Sequence, residues 1–393
     1  MIDRISAILM KFKKLYGSGE GVGLARAPGR VNVIGEHTDY NQGFVMPMAI
    51  ARDTVVAFKP NGGRRVNAYT LTLEESAGFE LGEGPLPASP GWLAYVGGVA
   101  RVLEARGVEL PGVDLVIHTT LPVGGGLSSS AALEVGCALA FLSAAGAEID
   151  RRDLAVMCQT AEADYAGMRC GVMDQYVALF GEPGCVVKLD CRSVRHELVP
   201  CATDVAKFVV CDTGVRHELA SSEYNNRRQE CEAGAALAAK MLADRAVQSL
   251  RDVEVDDLPE LEGELDEVVF RRVRHVVTEN ARVIGAAQAM CEQNYLSLGV
   301  LMDASHESLR DEYQVSCAEL DAMVEIAWAR PGVYGSRMTG GGFGGCTISL
   351  VDAEKADAFC ESVARGYEER TGIVPSIYVC APEKGAELIR PAS

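Results

Sequence analysis

Apolar residues recur along the chain with two different periods. In the first half, short apolar and β-branched runs at 22–27, 45–50, 54–58, 113–119 and 185–189 predict strands. Between them, residues 92–105, 129–143 and 153–165 carry apolar positions at helical spacing. Residues 1–16 alternate apolar and basic positions at roughly the same spacing, with no cleavage signature. The pattern changes near residue 200. A strand-like run at 208–211 is followed by predicted helices at 218–242, 297–311 and 317–329, and by an alternating strand at 346–351. The acidic stretch 252–267 reads as solvated connector and helix surface. The mixture predicts an α+β protein with domains at 1–200 and 201–393, since 393 residues exceed what one core usually serves.

Composition narrows the function classes. With 48% hydrophobic and 23% charged residues the chain is ordinary for a globular protein. Its net charge of −18 repels phosphate backbones and anionic bilayers, so neither nucleic acid nor membrane is an expected partner. A nucleotide ligand is still allowed, because local donors and a cation outweigh a distant, screened field. Thirteen cysteines without a CxxC pair are expected to be reduced, which suits a cytoplasmic protein. No apolar run approaches a membrane span.

Four polar or glycine-rich clusters carry the candidate chemistry. The first runs from Arg26 to Asn41, where Pro28-Gly29 is expected to break the preceding strand. Glu36, His37 and Asp39 then fall within one loop and can match the hydroxyls of a polyol, while Arg30 can hold an anionic oxygen with its planar fork. The same residues also suit a solvated turn. The second is Gly124-Gly125-Gly126-Leu127-Ser128-Ser129-Ser130, opening a helix. Glycines admit an anion to the backbone and the helix start supplies N–H groups, so phosphate binding is favoured over a plain capped turn. No Gly-Lys-Ser/Thr follows, so this is not a Walker A loop. The third sets Asp174 at a predicted helix start among apolar residues, as a proton acceptor or an N-cap. Glu162, on the helix before it, can reach a metal or stand on a solvated face. The fourth, residues 336–347, places Gly340 to Gly345 before a strand, as a loop over a cleft or a flexible hairpin.

Together these segments resemble the signature motifs of the GHMP kinases, and the run from Gly29 to Asn41 is similar, almost letter for letter, to the signature of their galactokinase branch. Arg216-His217-Glu218-Leu219 and Ser221-Ser222-Glu223-Tyr224-Asn225 strengthen the likeness, which spans residues 26–347 in family order. The resemblance implies phosphorylation of α-D-galactose at O1 by ATP, as the entry step of galactose metabolism. It implies Asp174 and Arg30 as the catalytic pair, with Glu36, His37, Asp39, Gly171 and Tyr224 reading the sugar. Gly124 to Ser130 would cradle the phosphates of ATP, and Ser130 with Glu162 would hold Mg²⁺. Trp92 and Tyr95 match the aromatic pair beside adenine, although a helix packed on the core would also explain them. The implied fold is a mixed-sheet N-terminal domain with a left-handed βαβ crossover, joined to a ferredoxin-like C-terminal domain, in a monomer or weak dimer. A kinase for N-acetylgalactosamine or arabinose, and a non-catalytic sugar sensor, are the alternatives. The complete Ser128–Ala132 stretch argues against the sensor.

Overall fold

A computed structural model of the protein describes residues 2–390 and 392 apart from 18, 83, 90, 217–219 and 244. In chain order its strands are β1 (Gly23–Asn32), β2 (Phe44–Val45), β3 (Pro47–Pro60), β4 (Arg65–Thr70), β5 (Glu75–Glu80), β6 (Val113–Thr119), β7 (Cys185–Asp190), β8 (Arg195–Pro200), β9 (Ala206–Arg216), β10 (Val333–Thr339), β11 (Gly344–Asp352), β12 (Ser376–Cys380) and β13 (Glu387–Arg390). The helices are α1 (Ile2–Tyr16), α2 (Trp92–Ala105), α3 (Ser129–Ala145), α4 (Arg151–Ala161), α5 (Met173–Phe180), α6 (Ala220–Met241), α7 (Leu258–Leu261), α8 (Glu267–Cys291), α9 (Tyr295–Ser308), α10 (Ala318–Trp328) and α11 (Ala356–Thr371).

The strands form a six-stranded mixed sheet in the order β13-β1-β3-β6-β4-β5, a four-stranded sheet β10-β11-β9-β12 and a three-stranded sheet β2-β7-β8. In the first, β4 and β6 run parallel, with β5 and α2 in the connection between them. In the second, β9, the long helices, β10, β11, α11 and β12 follow one another with β9 next to β11, which is the ferredoxin-like split βαβ order. The last strand, β13, returns to pair with β1 of the first sheet.

Two features position the site. Helix α3 is apolar on almost every side and lies in the middle of the first lobe, as such a helix must. Gly136 in its middle would meet Val56 of β3 at 3.2 Å if it bore a Cβ, so the helix lies tight against the sheet. Strand β1, expected to stop at Pro28-Gly29, instead continues to Asn32 through a register shift between Pro28 and Arg30. A bulge absorbs the extra residue and redirects the side chain that follows, here Arg30. Only glycine fits at position 29, because a Cβ would lie 2.5 Å from the Leu127 carbonyl oxygen.

Other boundaries also differ from expectation. Residues 45–50 and 54–58 belong largely to one long strand, β3, because helices and strands bury both of its faces. The helix expected at 153–165 is α4 followed by a π-helical turn at Glu162–Ala166, which ends in the left-handed Gly167. The expected start of the long helix at 218 lies outside the described residues, as do His217, Glu218 and Leu219. In the acidic stretch, Leu258, Leu261 and Leu265 are buried in a second core cluster while the carboxylates face outward. The main core runs on from the first lobe to Val283, Met290, Leu298, Met302 and Ile348, so the lobes share apolar packing.

Candidate active site

A cleft of about 520 Å³ opens between the lobes, and most of the expected residues line it. Arg30, from the bulge in β1, meets Asp174 in the first turn of α5 through two parallel bonds of 2.8 Å, from Nε to Oδ1 and from Nη2 to Oδ2. Its third donor, Nη1, reaches the Gly126 carbonyl oxygen at 2.6 Å. Ser128 Oγ adds a 2.5 Å bond to Asp174 Oδ2. Asp174 is therefore no N-cap; that position belongs to Val172. Burial opposes the charge on Arg30, but Asp174 and Glu36 outweigh it and raise the guanidinium pKa above its ordinary value. A fork–fork pair of this kind fixes the position of both its members.

Beside this pair the glycine loop leads into α3. Ser128, at the N-cap, is left-handed with φ 59° and makes no side-chain cap bond. The first N–H groups of α3 thus keep the positive end of the helix open to an anion. Gly124, Gly126, Ser129 and Ser130 line the cleft, whereas Leu127 is fully buried and offers only its carbonyl to the Arg30 N–H at 3.2 Å. Gly125 turns its carbonyl toward Cys346 Sγ at 3.0 Å, which joins the loop to β11. Trp92 and Tyr95 both line the cleft from α2, and the Trp92 indole N–H donates to Glu75 at 2.8 Å.

At the other end of the cleft the polar loop after β1 is buried. Glu36 accepts from Arg337 Nη1 at 3.2 Å, from the Gly340 N–H at 2.6 Å, from Thr339 Oγ1 at 3.1 Å, and also from Asn32. Burial raises its pKa, and Arg337 works against that rise. Arg337 is itself fully buried and bonds Ser305 Oγ at 3.2 Å; Ser305 in turn donates to Glu279 at 2.6 Å. Glu279 also receives the Gly35 N–H at 2.9 Å, so β10, α8 and α9 of the second lobe hold the loop that the first lobe supplies. Asp39 has no comparable clamp. Burial, then the nearby Asp174, push its pKa up to about 7. Gly171 packs onto it so closely that a Cβ there would lie 2.2 Å from Asp39 Oδ2. His37 is pushed down to about 3 by burial and is neutral. Its ring lies 5.3 Å from that of Tyr224 on α6.

Glu162 lies on the π-helical turn, buried beside Ser130, and its pKa is raised by burial and then by Asp174. Gln175 Nε2 bridges it to Glu134 at 2.7 and 2.9 Å. The oxygen-only chemistry of Ser130 and Glu162 fits a hard divalent cation, which takes few protein ligands and completes its shell from phosphate and water. Sequence reasoning missed Arg337, Glu279, Glu134 and Gln175. Arg337 stands inside the fourth cluster and Glu134 four residues after the second, but nothing local marks them as buried charges.

A carboxylate–guanidinium pair facing backbone donors at a helix start, across one cleft built from two lobes, defines a small-molecule phosphotransferase of the GHMP kinase fold. GHMP kinase N- and C-terminal domains match residues 94–182 and 286–369, and the galactokinase galactose-binding signature matches residues 10–60. The chain is 44% identical to a galactokinase of Chloroflexus aggregans over 98% of both chains. It is 42% identical to human galactokinase over 96% of this chain and 95% of that one. The structure of Lactococcus lactis galactokinase complexed with galactose matches with a TM-score of 0.90 at 35% identity, covering 98% of this chain and 99% of that one. A mevalonate kinase shares the fold alone, at TM-score 0.61 and 19% identity. The chain belongs to the galactokinase family of sugar kinases.

Proposed function

We propose that this protein transfers the γ-phosphoryl group of ATP to O1 of α-D-galactose, with residues 1–200 and 201–393 as the two lobes of the enzyme. The observation that carries this reading is the Arg30–Asp174–Ser128 cluster, with Arg30 also bonded to the glycine loop at Gly126. The hydroxyl to be phosphorylated lies against Asp174, and the triphosphate lies along Gly124 to Ser130 and the start of α3. Asp174 accepts the O1 proton as the O1–phosphorus bond forms and the bond to the ADP oxygen breaks. Phosphoryl transfer through a loose transition state needs positioning and charge stabilisation more than a strong base, so a carboxylate held beside a guanidinium suffices. Arg30 keeps its charge throughout and stabilises the developing anion.

Asp39, His37 and Tyr224 take the sugar hydroxyls, Glu36 holds the loop and borders the same pocket, and Gly171 leaves Asp39 its room. Trp92 and Tyr95 flank the adenine. Ser130 and Glu162 would hold Mg²⁺, which neutralises phosphate charge when bound. The relatives named galactokinase, and the galactose in the Lactococcus lactis complex, support the substrate. Thirteen cysteines without a disulfide, and no helix among the described residues long and apolar enough to cross a membrane, agree with a cytoplasmic setting.

A coupled ADP-release assay with galactose, N-acetylgalactosamine, arabinose, mevalonate and homoserine tests the reading. Galactose is expected to give the highest kcat/KM. A higher value with any other acceptor would overturn the substrate assignment, and no ADP release with any of the five would overturn the kinase.

A further inference from the structure

Behind the sugar end of the cleft lies a hydrogen-bonded chain that the phosphotransfer chemistry does not use. It starts at the buried thiol of Cys231 on α6, whose Sγ lies 3.0 Å from Tyr313 Oη. Tyr313, fully buried on the π-helical turn that follows α9, lies 2.7 Å from Tyr40 Oη. Tyr40 Oη in turn lies 2.8 Å from His37 Nδ1. The far nitrogen, His37 Nε2, is buried and has no partner within hydrogen-bond geometry, although the Gly341 backbone, which lines the cleft beside it, bears on the ring. His37 also has φ 63°, a left-handed backbone that a side chain adopts only where its surroundings enforce it. Its ring is packed 4.7 Å from Tyr313 and 5.8 Å from Tyr40, between centroids.

With both phenol hydrogens used inside it, such a chain runs in one of two senses. In one, each donor points toward His37: thiol to Tyr313, Tyr313 to Tyr40, and Tyr40 to Nδ1. In the other, Nδ1–H starts the chain and the last phenol donates to sulfur. Sulfur is weak both as donor and as acceptor, so the other end decides: a phenol O–H on the good acceptor of a neutral imidazole is the stronger bond, and the first sense is the more stable. Nδ1 is then an acceptor, and the single ring proton sits on Nε2.

We infer that Cys231, Tyr313 and Tyr40 form a positioning relay that locks neutral His37 as the Nε2–H tautomer, so that it presents a donor to the sugar while Asp39 presents an acceptor. A donor and an acceptor side by side discriminate one hydroxyl configuration from its epimer, because the wrong one leaves a buried group unpaired. The inference rests on the sugar-binding reading above for its purpose, though not for its geometry. The relay crosses the lobes: Tyr40 and His37 come from the first, Tyr313 and Cys231 from the second. Tyr40 and Tyr313 are positioning residues here, acting through His37.

The test is ¹⁵N NMR of histidine-labelled full-length protein without sugar, with His37→Gln to assign the resonance. The expected result is a neutral His37 protonated at Nε2 in the wild type, shifting toward a mixture of tautomers in Tyr40→Phe. The same variant is expected to raise the KM for galactose by roughly 5-fold while its KM for ATP and its kcat change little. Tyr313→Phe should move the tautomer balance and the sugar KM in the same direction by less. Circular dichroism melts confirm that each variant is folded; if Tyr40→Phe is unfolded, Tyr313→Phe and the wild-type spectrum carry the test. A wild-type His37 protonated at Nδ1, or folded variants with the wild-type tautomer and sugar KM, would overturn the relay. A protein with the Nε2–H tautomer that fails to phosphorylate galactose would instead refute the substrate reading and leave the relay standing.

Discussion

At the phosphate end of the cleft, Gly124 is exposed, Gly126 is half-buried, and the groups on offer are backbone N–H donors at the start of α3. At the sugar end, Glu36, His37 and Asp39 are all buried, and Glu36 is held by Arg337 and Thr339, and Tyr40, the partner of His37, by Tyr313, all from far along the chain. The phosphate end can be open because its ligand brings charge and tolerates water; one loop and one helix are enough. The sugar end must match neutral hydroxyls one by one, so its polar groups are buried and its loop is held from both lobes. Arg30 joins the two ends, with one donor on Gly126 and two on Asp174.

That contrast can be broken most sharply at the junction. Asp174→Asn removes the acceptor while keeping the shape, and kcat is expected to fall by about 10³-fold with an unchanged melting curve. Turnover close to wild type would take Asp174 out of the mechanism. Arg337→Ala strikes the sugar end alone. It leaves Glu36 buried without its guanidinium, and denaturant unfolding should show a loss of about 3–5 kcal/mol. A loss under about 1 kcal/mol would mean that the clamp between the lobes is not what holds the loop.

Gly171→Ala is the finer probe. The added methyl must push against the Asp39 carboxylate, so the KM for galactose should rise about tenfold while the KM for ATP stays put. Equal rises in both would show that the two ends are not independent. The smallest effect concerns pH. The pKa of Asp39 is raised to about 7, so the group gains a proton as pH falls through that value and ceases to be a charged acceptor. The KM for galactose should therefore rise by about fivefold over the pH unit below, and the dependence should vanish in Asp39→Asn. A KM that improves on acidification would reverse the assignment of Asp39 as acceptor. His37, whose pKa is depressed to about 3, remains neutral over the same range.

The same contrast governs what could be read from the residues alone. The phosphate end was legible because glycine loop, helix start and serines are contiguous, and α3 begins at Ser129 as its spacing predicts. The first-motif loop was legible as a cluster, but its clamps were not: Arg337, Glu279 and Tyr313 lie 301, 244 and 273 residues from the groups they bond. Helix α8 escaped the reading because the charged and polar residues it buries, Arg272, His275, Glu279 and Asn280, interrupt its apolar face. Of these, His275, Glu279 and Asn280 fasten the sugar loop, at Glu36, Gly35 and Phe44. Strand β1 was cut short at Pro28-Gly29 because local turn chemistry cannot reveal that the Leu127 carbonyl needs the space. Leu127 itself, placed by the motif among the ATP contacts, has its side chain in the core.

A crystal structure with galactose and a non-hydrolysable ATP analogue addresses the whole arrangement at once. The account predicts galactose O1 within hydrogen-bond distance of Asp174, and the triphosphate along Gly124 to Ser130 with its terminal phosphorus in line with O1. A sugar bound with O1 turned away from Asp174, or a nucleotide seated off the glycine loop, would contradict it.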